Sequence, residues 1–105
     1  MSEESVNESP TILVVEDNEG LRTLLIRNLK KEGFNVAGVE RGKDVLSLVE
    51  KEPDCLLLVD YLLPDMTGKE LVRELKEKGI LPPFIVMTGH GDEKIAVERH
   101  SPKIQ

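Results

Sequence analysis

The sequence predicts an α/β fold in which a parallel sheet is covered by helices. Short apolar runs, each bounded by polar or turn-forming residues, alternate along the chain with segments that carry apolar residues at helical spacing. Strands that alternate with helices in this way form βα units, whose right-handed crossovers leave the strands parallel. We predict strands at 11–15, 34–39, 55–59 and 84–87, and helices at 21–31, 44–51, 67–78 and 92–99.

The first half of the chain contains two strand–helix units. The apolar run at 11–15 is followed by leucines at helical spacing, and Gly33 stops the helix that they predict (Leu21, Leu24, Leu25, Leu29). After the strand at 34–39, a second helix has three apolar residues on one face and is closed by Pro53 (Val45, Leu48, Val49).

The second half repeats this pattern around an apolar run that ends on an acid. Five apolar residues at 55–59 suit a strand that is buried on both faces, and Asp60 follows them. Thr67 and Glu70 have the spacing of a capping box, which opens the third helix, and Gly79 ends that helix. The strand at 84–87 then leads to Asp92, the predicted N-cap of the last helix.

Length and composition limit the possible functions. The 105 residues allow one domain, with residues 1–10 as a disordered tail and 11–105 as the folded part. A net charge of −6 argues against nucleic acid or an anionic membrane as a direct partner. Cys55 is the only cysteine and suits the core, and the sequence has neither a membrane span nor a signal peptide. We therefore expect a cytoplasmic protein.

Polar side chains follow the predicted strands where their carboxyl ends meet. Glu16 and Asp17 follow the first strand, Asp60 the third and Thr88 the fourth. Taken alone, Asp60 is interpreted as a solvated loop residue or a helix cap. A group of acids at one edge is a different case, because two charges about 4 Å apart repel by roughly 4 kcal/mol at an effective dielectric constant near 20. Such a group calls for a cation, and all-oxygen ligands favour Mg²⁺ over zinc. One carboxylate could then attack a phosphoryl group, while Thr88 hydrogen-bonds a phosphoryl oxygen.

These residues, in this order and spacing, resemble the receiver domain of two-component response regulators between about residues 11 and 99. The resemblance rests on the acidic pair after the first strand, the acid after the third, and a hydroxyl-glycine pair after the fourth, Thr88-Gly89. Pro64 and Gly68 follow Asp60 by four and eight residues, as they do in receivers. The resemblance implies a flavodoxin-like, doubly wound parallel sheet with the strand order 2-1-3-4.

The resemblance also implies a role for each site residue. Asp60 looks like the aspartate that a histidine kinase or phosphotransfer protein phosphorylates, and Thr88 like the switch hydroxyl. Asp17 and Asp60 look like side-chain ligands of Mg²⁺, Glu16 like a ligand through water, and the backbone carbonyl of Leu62 like the main-chain ligand. Any catalysis would be limited to the domain's own phosphorylation and a weak autophosphatase activity.

The sequence departs from the receiver pattern after the fourth helix. Receivers continue with a fifth strand that carries a lysine, and with a fifth helix, whereas only five residues, 101–105, follow here; Lys103 reads as a solvated tail residue. We therefore expect the fourth strand to be an exposed sheet edge that invites self-association, or the sequence to be a fragment of a longer regulator or hybrid kinase. A degenerate receiver that serves only as an interaction or dimerisation module stays open as an alternative.

Two other function classes fit less well. A haloacid-dehalogenase-type phosphatase needs a second acid two residues after its aspartyl nucleophile, and that position is Leu62. A flavodoxin-like cofactor binder needs a phosphate loop after the first strand, where the acids at 16–19 would repel a phosphate. His90 reads as a solvent-facing loop residue, Tyr61 as packing at the rim, and His100 has no assigned role.

Overall fold

The computed structural model describes residues 11–88 together with the backbone of 97–100. The predicted tail at 1–10, the predicted helix start at Asp92, and residues 89–91 and 101–105 lie outside the described residues. No side chain of 97–100 is described.

The described chain forms a five-stranded sheet with three helices. In chain order the elements are β1 (Thr11–Val15), α1 (Glu19–Lys31), β2 (Asn35–Val39), α2 (Lys43–Lys51), β3 (Cys55–Asp60), α3 (Gly68–Glu77), β4 (Phe84–Met87) and β5 (Val97–His100). The sheet order is β2-β1-β3-β4-β5, and the first four strands in this order are parallel. The predicted parallel order 2-1-3-4 is therefore confirmed.

The fourth strand is not the exposed edge that the sequence predicted. β5 pairs with β4 in antiparallel register, with Phe84 opposite His100 and Met87 opposite Val97. The prediction of a helix reaching Arg99 is wrong at 97–99, and so is the expectation that no further strand covers the edge of β4. Self-association stays a prediction. The physical reason is that the edge of β4 would otherwise leave a row of backbone groups without hydrogen bonds. Residues 97–100 contain few apolar residues that could stabilise a helix, and they gain more from bonding to this edge than from forming a helical turn.

The main hydrophobic core lies on the side of the sheet that α2 and α3 cover. Alternate residues of the central strands point into it, and Val45, Val49, Leu71 and Leu75 close it from the helices. The strand residues in this core are Leu13, Val15, Cys55, Leu57, Val59, Phe84 and Val86. The burial of Cys55 agrees with its expected role as core filler.

The opposite side of the sheet is covered much less completely. α1 lies against β1 and β2 but contributes no buried residue, and Leu24 is 49% exposed. Leu56 and Leu58, which point to this side from β3, are only half-buried. The prediction that β3 is buried on both faces is therefore wrong for one face: on that side Ile12 and Val14 of β1 are buried, but Leu56 and Leu58 of β3 are only half-buried.

The helices begin with side-chain caps where the sequence offers them. Asn18 accepts a hydrogen bond from the Leu21 N–H at the start of α1, and the capping box of Thr67 and Glu70 opens α3 as predicted. Within residues 11–88, no helix is long and apolar enough to pass through a bilayer.

Candidate functional site

Three acids from two separate strands converge at the carboxyl ends of β1 and β3. Glu16 and Asp17 directly follow β1, and Asp60 is the last residue of β3, the strand that pairs with β1. One carboxylate oxygen from each of the three lies within 4.8 Å of the others. Glu16 is buried, Asp60 is half-buried and Asp17 is exposed, so the cluster opens to solvent at one side. The predicted meeting of these acids is confirmed.

Glu16 is held by three hydrogen bonds from different parts of the chain. Its N–H donates to the Val39 carbonyl at 3.0 Å, which continues the pairing of β1 with β2. The Arg22 guanidinium of α1 donates to the Glu16 carbonyl at 2.9 Å, and the Asn18 N–H donates to the Glu16 carboxylate at 3.0 Å. The last of these bonds holds the Glu16 side chain, and the other two fix its backbone.

The position of Glu16 raises its pKa to about 7. Burial is the largest cause, because desolvation disfavours the charged form, and the hydrogen bond from the Asn18 N–H opposes it. The charge of Asp60, a side-chain hydrogen bond with Asp60 and the charge of Asp17 raise the pKa further. Glu16 therefore holds a proton more readily than an ordinary glutamate, first because it is buried and then because other acids lie beside it.

The loop that follows Asp60 is tied down at both ends. The Tyr61 N–H donates to the Met87 carbonyl at 2.8 Å, and the Gly68 N–H donates to the Tyr61 carbonyl at 2.6 Å. Leu63 donates its N–H to the Met66 carbonyl at 3.1 Å, so that Leu62 and Thr67 form an isolated antiparallel bridge. These bonds use the carbonyls of Tyr61 and Met66 rather than that of Leu62.

Gly68 allows α3 to begin directly against the end of β3. A Cβ atom at this position would lie 2.9 Å from the Asp60 carbonyl oxygen and 3.0 Å from a methyl carbon of Val59. Those distances are too short for a side chain, and the first of them is to backbone that cannot easily move. The glycine eight residues after Asp60 is thus required by the close approach of the backbone.

Thr88 reaches the same rim of the sheet through the register of β4. Met87 is the partner of Asp60 in the pairing of β3 with β4, and Thr88 follows it and is half-buried. The structure thus places Thr88 after the fourth strand, as the sequence predicted. Leu62, whose carbonyl was predicted as a ligand, lies in the loop after β3, and its side chain is 51% exposed. His90 and Lys103 lie outside the described residues.

The acid cluster suits a hard divalent cation. It offers only oxygen donors from carboxylates, which favours Mg²⁺ or a similar ion over zinc or copper. The raised pKa of Glu16 agrees with this, since the charges of Asp60 and Asp17 contribute to it after burial, which is its largest cause. The residues present therefore fit the ion that the sequence analysis expected.

Sequence reasoning missed three residues that shape this site. Asn18 and Arg22 hold Glu16, and the carboxylate of Asp65 accepts hydrogen bonds from the N–H groups of Gly42 and Lys43. Asn18 could have been found, because an asparagine before a helix is a usual N-cap. Asp65 acts across the fold, and Arg22 bonds a backbone carbonyl six residues before it, so neither carries a sequence signal that names its partner.

Comparison with known proteins agrees with this geometry. The profile of the response regulator receiver domain matches residues 12–104. The phosphate regulon transcriptional regulatory protein PhoB of Rhizobium meliloti (strain 1021) is 42% identical over 87 residues, which are 80% of this chain and 38% of PhoB. The transcriptional regulatory protein FixJ of the same organism is 38% identical over 88 residues, which are 84% of this chain and 43% of FixJ. The chain thus spans about two fifths of the length of these relatives.

Solved structures give the same result. The crystal structure of FixJ-N superposes with a TM-score of 0.74 at 35% identity, covering 81% of this chain and 68% of that one. The MaeR response regulator bound to beryllium trifluoride gives a TM-score of 0.70 at 25% identity, covering 79% of this chain and 70% of MaeR. With four parallel strands in the order 2-1-3-4 and acids gathered at their carboxyl ends, the chain belongs to the response regulator receiver domain family of two-component systems.

Proposed function

We propose that Asp60 accepts a phosphoryl group from a histidine kinase or a phosphotransfer protein, in the presence of Mg²⁺. The observation that supports this most strongly is the meeting of Glu16, Asp17 and Asp60 within 4.8 Å. In this proposal Asp17 and Asp60 bind the ion directly, Glu16 binds it through water, and the Leu62 carbonyl supplies a main-chain ligand. An interaction-only module would have no need of such a costly cluster of like charges.

The chemistry required of the protein is a nucleophilic displacement at phosphorus. A carboxylate oxygen of Asp60 forms a bond to phosphorus while the bond to the donor imidazole nitrogen breaks and that nitrogen keeps the electron pair. Asp60 is only half-buried, so an incoming phosphoryl group can reach it from the open side of the cluster. When bound, Mg²⁺ supplies positive charge that offsets the repulsion between the carboxylates and the phosphoryl oxygens.

The switch in this proposal follows from the added charge. Phosphorylation adds up to two negative charges and three acceptor oxygens at the rim where β1, β3 and β4 end. Thr88 follows β4 beside Tyr61 in the sheet register, and its hydroxyl is proposed to hydrogen-bond a phosphoryl oxygen. Catalysis by the domain is confined to its own phosphorylation and a weak autophosphatase activity.

The proposed partners follow from the same chemistry. PhoB and FixJ are named as transcriptional regulatory proteins, but this chain matches only about two fifths of each. The net charge of −6 weighs against direct binding of nucleic acid through this domain. We place the domain in the cytoplasm, where a histidine kinase can reach it.

Incubation with acetyl phosphate and Mg²⁺ tests this proposal. Intact-mass spectrometry should show the gain of one phosphoryl group by the wild-type chain and none by Asp60→Asn, because the amide cannot act as the nucleophile. Removal of Mg²⁺ with a chelator should also abolish the gain.

The control is Asp54→Asn, which changes an exposed acid at the other end of the same strand. It should be phosphorylated as fast as the wild type. A wild-type chain that stays unmodified, or an Asp60→Asn variant that is modified equally, would refute the assignment.

A further inference from the structure

The loop that follows the phosphoacceptor strand is clamped to the start of α2 by one carboxylate. Asp65 accepts a hydrogen bond from the Gly42 N–H on one oxygen and from the Lys43 N–H on the other, each at 2.9 Å. The partners are 23 and 22 residues away in sequence. The clamp therefore joins the connection between β2 and α2 to the connection between β3 and α3.

α2 depends on this carboxylate for its N-terminal cap. Its N-cap residue is Gly42, which has no side chain to accept a hydrogen bond from the first turn. Most helices take such an acceptor from their own N-cap residue. Here the acceptor comes from a distant loop, and its negative charge also lies at the favourable end of the helix dipole.

A packing contact reinforces the clamp. A Cβ atom at Gly42 would lie 2.5 Å from the Met66 sulfur and 2.7 Å from the Met66 Cγ. The backbone of Gly42 thus lies directly against the side chain next to Asp65. Two adjacent loop residues hold the same helix end, one by hydrogen bonds and one by van der Waals contact.

The clamped loop is also the loop that carries Leu62. The bonds from Leu63 to Met66 and from Gly68 to Tyr61 make residues 61–68 a closed hairpin-like unit. Because this unit is internally bonded, fixing it at Asp65 fixes the direction of the Leu62 carbonyl relative to Asp60. Without the hydrogen bonds from Gly42 and Lys43 to Asp65, the unit would be held at its two ends, by Tyr61 and Gly68, and by the apolar packing of Leu63 and Met66.

We propose that Asp65 is a positioning residue for the phosphoacceptor site. It anchors loop 61–68 to the N-terminus of α2 and thereby holds the Leu62 carbonyl and Asp60 in the arrangement that binds Mg²⁺ and accepts the phosphoryl group. This inference rests on the proposed function and extends it to a residue outside the acid cluster.

The electrostatics of Asp65 agree with this role. Partial desolvation raises the pKa of Asp65, but the hydrogen bonds from Gly42 and Lys43 outweigh it and bring the pKa below its ordinary value. The carboxylate is therefore ionised at neutral pH, with both oxygens able to accept.

The experiment compares Asp65→Ala with Asp65→Asn and a matched control. Asparagine keeps one carbonyl acceptor and should restore part of what alanine loses. Asp44→Ala is the control, because it removes an acid from the first turn of the same helix, whereas the bonds to the loop come from Asp65. Urea unfolding establishes that each variant is folded under the assay conditions.

Three readouts separate positioning from a merely structural role. Amide hydrogen exchange by NMR at Gly42 and Lys43 reports the clamp directly. Fluorescence of Tyr61, the only tyrosine in a chain without tryptophan, reports Mg²⁺ binding beside Asp60. The rate of phosphorylation by acetyl phosphate reports the reactivity of the Asp60 nucleophile.

For Asp65→Ala we expect faster exchange at both amides, about tenfold weaker Mg²⁺ binding and a comparable loss of phosphorylation rate, since residues that orient ligands typically contribute tenfold or more. Asp65→Asn should fall between alanine and wild type, and Asp44→Ala should match wild type. Folded Asp65→Ala with wild-type Mg²⁺ affinity and rate would overturn the positioning role alone. A wild-type chain that neither binds Mg²⁺ nor gains a phosphoryl group would overturn the proposed function, and this inference with it.

Discussion

The pKa of Glu16 depends on its burial and on the charges of the other acids in the cluster. Glu16 is 3% exposed and lies beside Asp17 and Asp60, so its charged form is disfavoured first by burial and then by like charge. The Asn18 N–H donates to its carboxylate and the Arg22 guanidinium donates to its backbone carbonyl, so both the side chain and the backbone of Glu16 are held. A carboxyl group held in this way is stable as the neutral acid or beside a cation.

The residue-scale prediction concerns pH in the absence of divalent cations. The pKa of Glu16 is about 7 in the folded chain and near its ordinary value of 4.5 in the unfolded chain, so the folded state binds the proton more tightly. The free energy of unfolding should therefore fall by about 3 kcal/mol as the pH rises from about 4.5 to 7. Urea titrations across this range measure the effect.

Glu16→Gln provides the comparison for this measurement. The variant has no proton to lose and should show a flatter profile over the same range. The lowered pKa of Asp65 acts in the opposite sense, because its contribution to stability is lost as the pH falls below the ordinary pKa of 3.8. That pH range does not overlap with the range in which Glu16 titrates. Identical slopes in wild type and Glu16→Gln would contradict the assignment of the effect to Glu16.

At the scale of elements, the site depends on how closely α3 approaches β3. The helix begins at Gly68, where the backbone of the preceding strand end leaves no space for a Cβ atom. The capping box of Thr67 and Glu70 then sets the direction in which the helix leaves the site. The first turn of α3 is therefore part of the support for Asp60.

The element-scale prediction compares two helical glycines. Gly68→Ala should lower the free energy of unfolding by about 1 to 3 kcal/mol, because the new methyl group overlaps the Asp60 carbonyl. Gly20→Ala should change it little or raise it by up to about 1 kcal/mol, because a Cβ atom there meets only the Asn18 side chain at 3.4 Å. Urea unfolding of both variants is the measurement, and equal destabilisation would show that the close approach is not the cause.

At the scale of the whole molecule, the two sides of the sheet contribute unequally to stability. The side under α2 and α3 contains most of the buried core, whereas the side under α1 buries Ile12 and Val14 but keeps several other apolar residues half-buried or exposed. Hydrophobic stabilisation follows the apolar area that is removed from water. Most of it must therefore come from one side.

The whole-molecule prediction compares one leucine from each side. Leu75→Ala, at a fully buried position of α3, should lower the free energy of unfolding by about 2 to 5 kcal/mol. Leu24→Ala, at a position of α1 that is 49% exposed, should lower it by less than about 1 kcal/mol. Thermal and urea unfolding test both, and a loss at Leu24 as large as that at Leu75 would refute the unequal contribution of the two sides.

The sequence predicted the βα alternation and the acids at the strand ends because both are local. An apolar run that stops at an acid is visible within a few residues, and parallel strands necessarily bring their carboxyl ends to one edge. The capping box of α3 was found for the same reason, since its two partners are three residues apart. The strand order came from resemblance to a family rather than from any residue.

Only the tertiary structure decided the features that join distant segments. The clamp between Asp65 and the start of α2 and the half-exposed face under α1 each depend on which elements become neighbours. The pairing of β5 with β4 overrode a local helical pattern for the same reason. Hydrogen bonding and burial are properties of neighbours in space, and the sequence alone specifies only neighbours along the chain.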